Sequence, residues 1–158
     1  MNKDNVNIKE NAFVFLFKVL MIILISYILS LIYKEIKENY QVESDDKMLM
    51  KVKDNLRKVK PEKVNELKFF EGDKSYTINK KNVYICLKDE NDKYYDENML
   101  TYVALHELAH SLCDEIGHTE KFHKIFQKLL KEAAEKGVYD PAKKLTERYC
   151  GHDWNKYN

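Results

Sequence analysis

The sequence predicts an α+β fold, in which one apolar N-terminal helix precedes a compact domain where a small antiparallel sheet meets helices. Three observations predict it. Residues 12–33 are apolar apart from Lys18, Ser26 and Ser30. Between residues 67 and 87, short runs of β-branched and aromatic residues alternate with turn residues. From residue 96 onward, apolar residues recur at helical spacing. The 158 residues suffice for one domain plus an appendage.

Residues 1–11 are polar and are expected to be disordered. Residues 12–33 are expected to form a transmembrane helix: at 1.5 Å per residue they extend about 33 Å, enough for a hydrocarbon core of ~30 Å. Lys18 can snorkel to one interface and Tyr33 suits the other. The run is too long, and lacks the small-residue cleavage site, for a signal peptide. Lys3, Lys9 and Lys18 balance Lys34, Lys37 and Lys47, so charge does not orient the span. Residues 34–45 carry mixed charge and read as a stalk, leaving residues 46–158 as the domain. Met48, Val52, Leu56 and Val59 mark a helix that Pro61 stops. Leu67–Phe70, Ser75–Ile78 and Val83–Leu87 read as strands, separated by turns at Glu71-Gly72-Asp73 and at residues 79–82. Asp96 or Asn98 caps a helix running to about Glu115 and ended by Gly117. Thr119-Glu120 opens a second helix with Phe122, Ile125, Phe126, Leu129, Leu130 and Ala133 as its apolar stripe, closed by Gly137. Residues 138–158 read as a loop-like tail.

Charge excludes some functions. Twenty-seven basic residues stand against 26 acidic ones, and Arg57 and Arg148 are the only arginines. No net field attracts nucleic acid, and bidentate base or phosphate readout prefers arginine, so no direct nucleic-acid binding is expected. Cys86, Cys113 and Cys150 form no C-x-x-C pair. Three cysteines argue against a disulfide scaffold, so unpaired thiols are expected, which favours the cytosolic side of a membrane.

His106-Glu107-Leu108-Ala109-His110 is an H-E-x-x-H motif within the first of the two later helices. Histidines four apart share one helical face and can grip one metal ion, while Glu107 reaches an activated water as general base. A catalytic zinc needs three protein ligands, and His118 is the leading third because Gly117 lets the chain turn back sharply. His123, His152, Glu132 and Glu135 are the alternatives. Cys113 reads as a buried structural thiol. With Met99 the last methionine, a methionine turn after the motif is excluded. The domain is accordingly expected to be zincin-like, with one zinc per chain.

The segment from Tyr94 to Leu100, through His106–His110 and on to Gly117–Phe122, resembles the WLM/SprT-like group of zinc metallopeptidases. It is most similar to small membrane-anchored versions in large nucleocytoplasmic DNA viruses. Those share an N-terminal hydrophobic segment, a strand like Val83–Leu87 and a tail like Tyr149-Cys150-Gly151. The resemblance covers about residues 75–152 and implies His106, His110 and His118 as zinc ligands and Glu107 as the base. The group usually places its third histidine six residues after the second; here the gap is eight. Its relatives cleave proteins crosslinked to DNA, a substrate that does not carry over to a chain without a basic patch.

The expectation is a membrane-anchored zinc metallopeptidase acting on a protein or peptide, with residues 12–33 in contact with lipid. Tyr139 and Tyr149 are candidates for stabilising the oxyanion, and Val83–Leu87 for binding substrate by β-addition. Two rivals remain. One is a non-catalytic zinc-stabilised membrane adaptor, its fourth ligand being Cys113, Cys150 or His152. The other is a hydrolase of a non-peptide amide.

Overall fold

The computed structural model describes the backbone of residues 3–39 and 43–153, and side chains within 14–36 and 43–151. Two units divide the chain, residues 1–42 and 43–158. The first is the helix α1 (Lys3–Asn39), which runs through segments read as a disordered N-terminus and a stalk. Its stretch Val14–Ile36 is long and apolar enough to cross a membrane by length and composition, and its side chains are not covered within the chain.

The second unit begins at Glu43, a little before the expected residue 46. Ser44 N–H donates to the Phe69 carbonyl at 3.2 Å, and Glu43 Oε1 accepts from Phe69 N–H at 2.8 Å. These bonds cover the outer edge of the first strand. Asp46 then caps α2 (Lys47–Val59), accepting from the N–H groups of Met48 and Leu49. Pro61 ends that helix and starts the short α3 (Pro61–Asn65) at its first turn, where a missing N–H costs nothing.

Strands β1 (Lys68–Glu71), β2 (Tyr76–Ile78) and β3 (Asn82–Ile85) form a mixed sheet in the order β1-β3-β2. The expected antiparallel sheet is therefore corrected: β2 and β3 are an antiparallel hairpin, but β1 lies parallel to β3. The chain crosses from one side of β3 to the other after β1, so β3 becomes central. Gly72 makes that crossing tight. A Cβ there would lie 3.0 Å from the Lys74 carbonyl oxygen and 3.3 Å from Tyr84 Cβ. Register places Thr77 opposite Val83 and Val83 beside Phe69, so these three share the face toward the helices. Tyr76, Tyr84 and Phe70 stack on the other face, with ring centroids 4.6 and 5.0 Å apart.

α4 (Glu97–Leu112) is capped by Asp96 and packed against α2, α5 (Glu120–Glu135) and the sheet. Leu100, Val103, Leu105 and Leu108 lie on different sides of it, and all are fully buried. It ends at Leu112, short of the expected Glu115, because Cys113 leaves helical geometry and buries its side chain. Thr119 caps α5. Gly137 (φ +66°) closes it in a Schellman arrangement, with Val138 N–H bonded to the Ala133 carbonyl and Gly137 N–H to that of Ala134.

The tail is more ordered than a loop. β4 (Arg148–Tyr149) and β5 (His152–Asp153) form a hairpin, and Cys150 and Gly151 at its two-residue turn both have positive φ. Cys150 is disulfide-bonded to Cys86, which corrects the expectation of unpaired thiols; only Cys113 is free. Spacing could not reveal a partner 64 residues away. With that pair formed, the cysteines no longer favour the cytosolic side.

Candidate metal centre

His106, Glu107 and His110 come from the buried middle of α4, where one helical turn sets both imidazoles on one face. The third imidazole arrives from the loop. Cys113 turns extended, and Gly117 adopts φ +85°, a left-handed conformation that favours glycine. That reversal delivers His118 just ahead of the Thr119 cap. The Nε2 atoms of His106, His110 and His118 form a triangle with edges of 3.2, 3.2 and 3.0 Å. Imidazoles held by one tetrahedral ion at 2.0–2.1 Å would place their nitrogens about 3.3 Å apart. The donor set therefore fits one small cation, and these three residues could hold a metal ion.

Phe122 backs the cluster. Its ring centroid lies 4.3 Å from that of His110, 4.8 Å from His118 and 4.9 Å from His106. Burial pushes His106 down to about 3 and His110 to about 4, reinforced by repulsion from neighbouring imidazoles; His118 is lowered for the same reasons. All three rings are thus neutral at pH 7, the form that offers a lone pair to a metal.

Glu107 is 4% exposed, and burial pushes its carboxyl up to about 7, against the opposing pull of Thr77. Thr77 Oγ1 lies 2.8 Å from Glu107 Oε2 and 3.1 Å from the Glu107 carbonyl oxygen. Both residues open onto a cleft of about 610 Å³ that also includes the three histidines and Tyr149.

The other sequence candidates fall elsewhere. His123 is exposed on α5, its ring centroid 6.3 Å from that of His118. Glu132 pairs with Lys60 at 2.7 Å, and Glu135 is exposed beside Lys131. Cys113 is buried at the end of α4 and Cys150 is in the disulfide, so neither thiol completes the triangle. The side chain of His152 lies outside the described residues.

Tyr139 packs against Tyr102 and does not line the cleft. Tyr149 does line it, but its hydroxyl is engaged. Cys86 N–H donates to Ser75 Oγ at 3.0 Å, Ser75 and the Tyr149 hydroxyl are 2.8 Å apart, and Tyr149 donates to the Cys86 carbonyl at 2.5 Å. With its proton on a carbonyl, Tyr149 is a wall of the cleft rather than an oxyanion donor. The expectation for Val83–Leu87 is also corrected. β3 is flanked on both sides, whereas β2 is the outer strand and lines the cleft.

Sequence reasoning missed the link from Thr77 to Glu107 and the tail circuit. A hydroxyl on a three-residue strand carries no signal of a partner 30 positions away. Phe122 carries only the spacing of an apolar stripe, and nothing in that spacing shows that its ring also backs the three imidazoles.

"Uncharacterized protein 136R" of Invertebrate iridescent virus 6 is 51% identical to this chain over 88 residues, covering 54% of this chain and 49% of that protein. "Uncharacterized protein 042R" of Invertebrate iridescent virus 3 is 51% identical over 87 residues, covering 54% and 55% respectively. "Uncharacterized protein R325" of Acanthamoeba polyphaga mimivirus is 40% identical over 86 residues, covering 49% and 41%. The matched stretch thus spans about half the length of these viral relatives. No family model matches the chain. No solved structure matches it either.

Proposed function

We propose that the unit beginning at Glu43 is a zinc-dependent metallopeptidase of the WLM/SprT-like kind, anchored to a membrane through α1. One observation carries the reading: three neutral imidazoles converge in an open cleft beside a buried carboxyl poised near neutrality. Bound there, zinc would supply a Lewis acid that polarises a peptide carbonyl and acidifies water. His106, His110 and His118 would hold it. Glu107 would take a proton from the attacking water and return it to the leaving amine. The outer strand β2 offers its backbone to an extended peptide, which aligns substrate along the cleft. Uncovered apolar side chains on α1 support anchoring in lipid.

The test uses the full chain in detergent. Purified protein should carry one zinc and cleave a quenched fluorescent casein. Glu107→Gln should keep the zinc and lose about two to four orders of magnitude in rate, the worth of a positioned general base. His118→Ala should lose stoichiometric zinc, because two ligands hold it weakly. Wild-type protein that takes up no zinc on dialysis would overturn the reading. Zinc uptake without any peptide cleavage would leave the adaptor or the amide hydrolase in its place.

A further inference from the structure

We infer that Thr77 is a positioning residue that fixes the carboxylate of Glu107, an inference that rests on the metallopeptidase reading. The register of the hairpin turns Thr77 toward the helices, opposite Val83, while Tyr76 stacks on the other face. Its hydroxyl meets Glu107 Oε2 at 2.8 Å. A glutamate has three side-chain torsions, and the last is broad, so burial alone does not fix which oxygen faces the cleft. The bond from Thr77 does. It holds Oε2 against the sheet and leaves Oε1 as the oxygen that meets the attacking water.

The second acceptor sharpens this. Thr77 Oγ1 also lies 3.1 Å from the Glu107 carbonyl oxygen, so its single proton is shared between two acceptors of the same residue, the carboxylate oxygen being the nearer. β2 is thereby tied to α4 at the residue whose orientation matters most. Because β2 is also the strand proposed to receive substrate, it would set base and peptide in one frame. A β-branched threonine keeps few χ1 rotamers, which makes the grip stiff.

Thr77→Val keeps the shape and removes the hydroxyl; Thr77→Ser keeps the hydroxyl. In the full chain, Thr77→Val should retain one zinc and lower kcat on the fluorescent casein about 10- to 100-fold, the scale of a misplaced catalytic group. KM should stay unchanged, and Thr77→Ser should recover most of the rate. In a Glu107→Gln background, Thr77→Val should cost nothing more. Crystal structures supply a readout independent of activity. Metal-free Thr77→Val should show the Glu107 carboxylate spread over more than one rotamer, where wild type shows one.

A raised KM with unchanged kcat would make Thr77 a feature of the substrate strand and overturn the inference. So would an undisturbed Glu107 in the variant structure, or failure of Thr77→Ser to rescue. An active wild type with an unimpaired Thr77→Val would remove this inference alone. Wild type lacking zinc and activity would remove the metallopeptidase reading, and this inference with it.

Discussion

The stretch Val14–Ile36 of α1 and the helix α4 are both rich in apolar residues, yet among the described residues only those of α4 are covered. Along α1, Phe15, Ile22 and Leu29 are 70%, 67% and 59% exposed; along α4, Leu100, Leu105 and Leu108 are 0% exposed. A helix without a polar face needs an apolar surrounding, supplied either by the protein or by lipid. α4 obtains it from α2, α5 and the sheet. That cover lets it carry Thr101, His106, Glu107 and Ser111 buried in the interior. Apolar composition alone therefore does not tell a helix of a domain interior from one long and apolar enough to cross a membrane; the deciding quantity is what lies against it.

The same substitution placed in each helix should break the symmetry most strongly. Leu108→Arg buries an unpaired charge and should prevent folding of the domain, read as loss of a cooperative thermal transition. Ile25→Arg should leave that transition in place. It should instead weaken insertion by about 3–4 kcal/mol, read as a shift from the membrane to the soluble fraction.

A smaller effect concerns the tail that walls the cleft beside α4. Reducing Cys86–Cys150 frees a loop with a sequence separation of 64. Chain entropy puts the loss at about 4 kcal/mol. Denaturant titration with and without reductant measures it, and Cys113→Ala should leave the difference intact.

The smallest is the pH profile of the metal-free protein. His106 and His110 titrate lower when folded, near 3 and 4 against the usual 6.5. Their contribution is complete above about pH 6.5 and is lost as pH falls toward 4 and 3. Glu107 runs the other way: its folded value near 7 exceeds the usual 4.5, so its contribution is complete below about 4.5 and lost as pH rises through 7. The two histidines outweigh the one carboxyl, so thermal midpoints should rise from about pH 4.5 to about 7 and then level, and Glu107→Gln should steepen the rise.

Much of this was legible where the signal was local. Asp46, Asp96 and Thr119 cap helices because their side chains reach N–H groups two or three residues on. The pairing of His106 with His110 follows from helical geometry, and the return of His118 from one glycine. What depends on long-range placement was not legible. Alternation marked three strands, but nothing in it says that β1 joins β3 and leaves β2 outside. The Cys86–Cys150 bond, the Ser75–Tyr149 contact and the grip of Thr77 on Glu107 all join residues that meet only after the sheet has formed. Residue 3 to residue 11 looked polar and loose, yet α1 continues through them as one helix.

The outer position of β2 has a consequence for self-association. An open strand edge invites pairing with a second copy of the same strand. β2 is only three residues long, and Lys74, Lys80 and Lys81 bracket it. Lysines beside a short edge set like charges against like when two such edges approach, which discourages stacking of copies into a continuous sheet. A strand so short and so flanked resists adding a copy of itself at its edge.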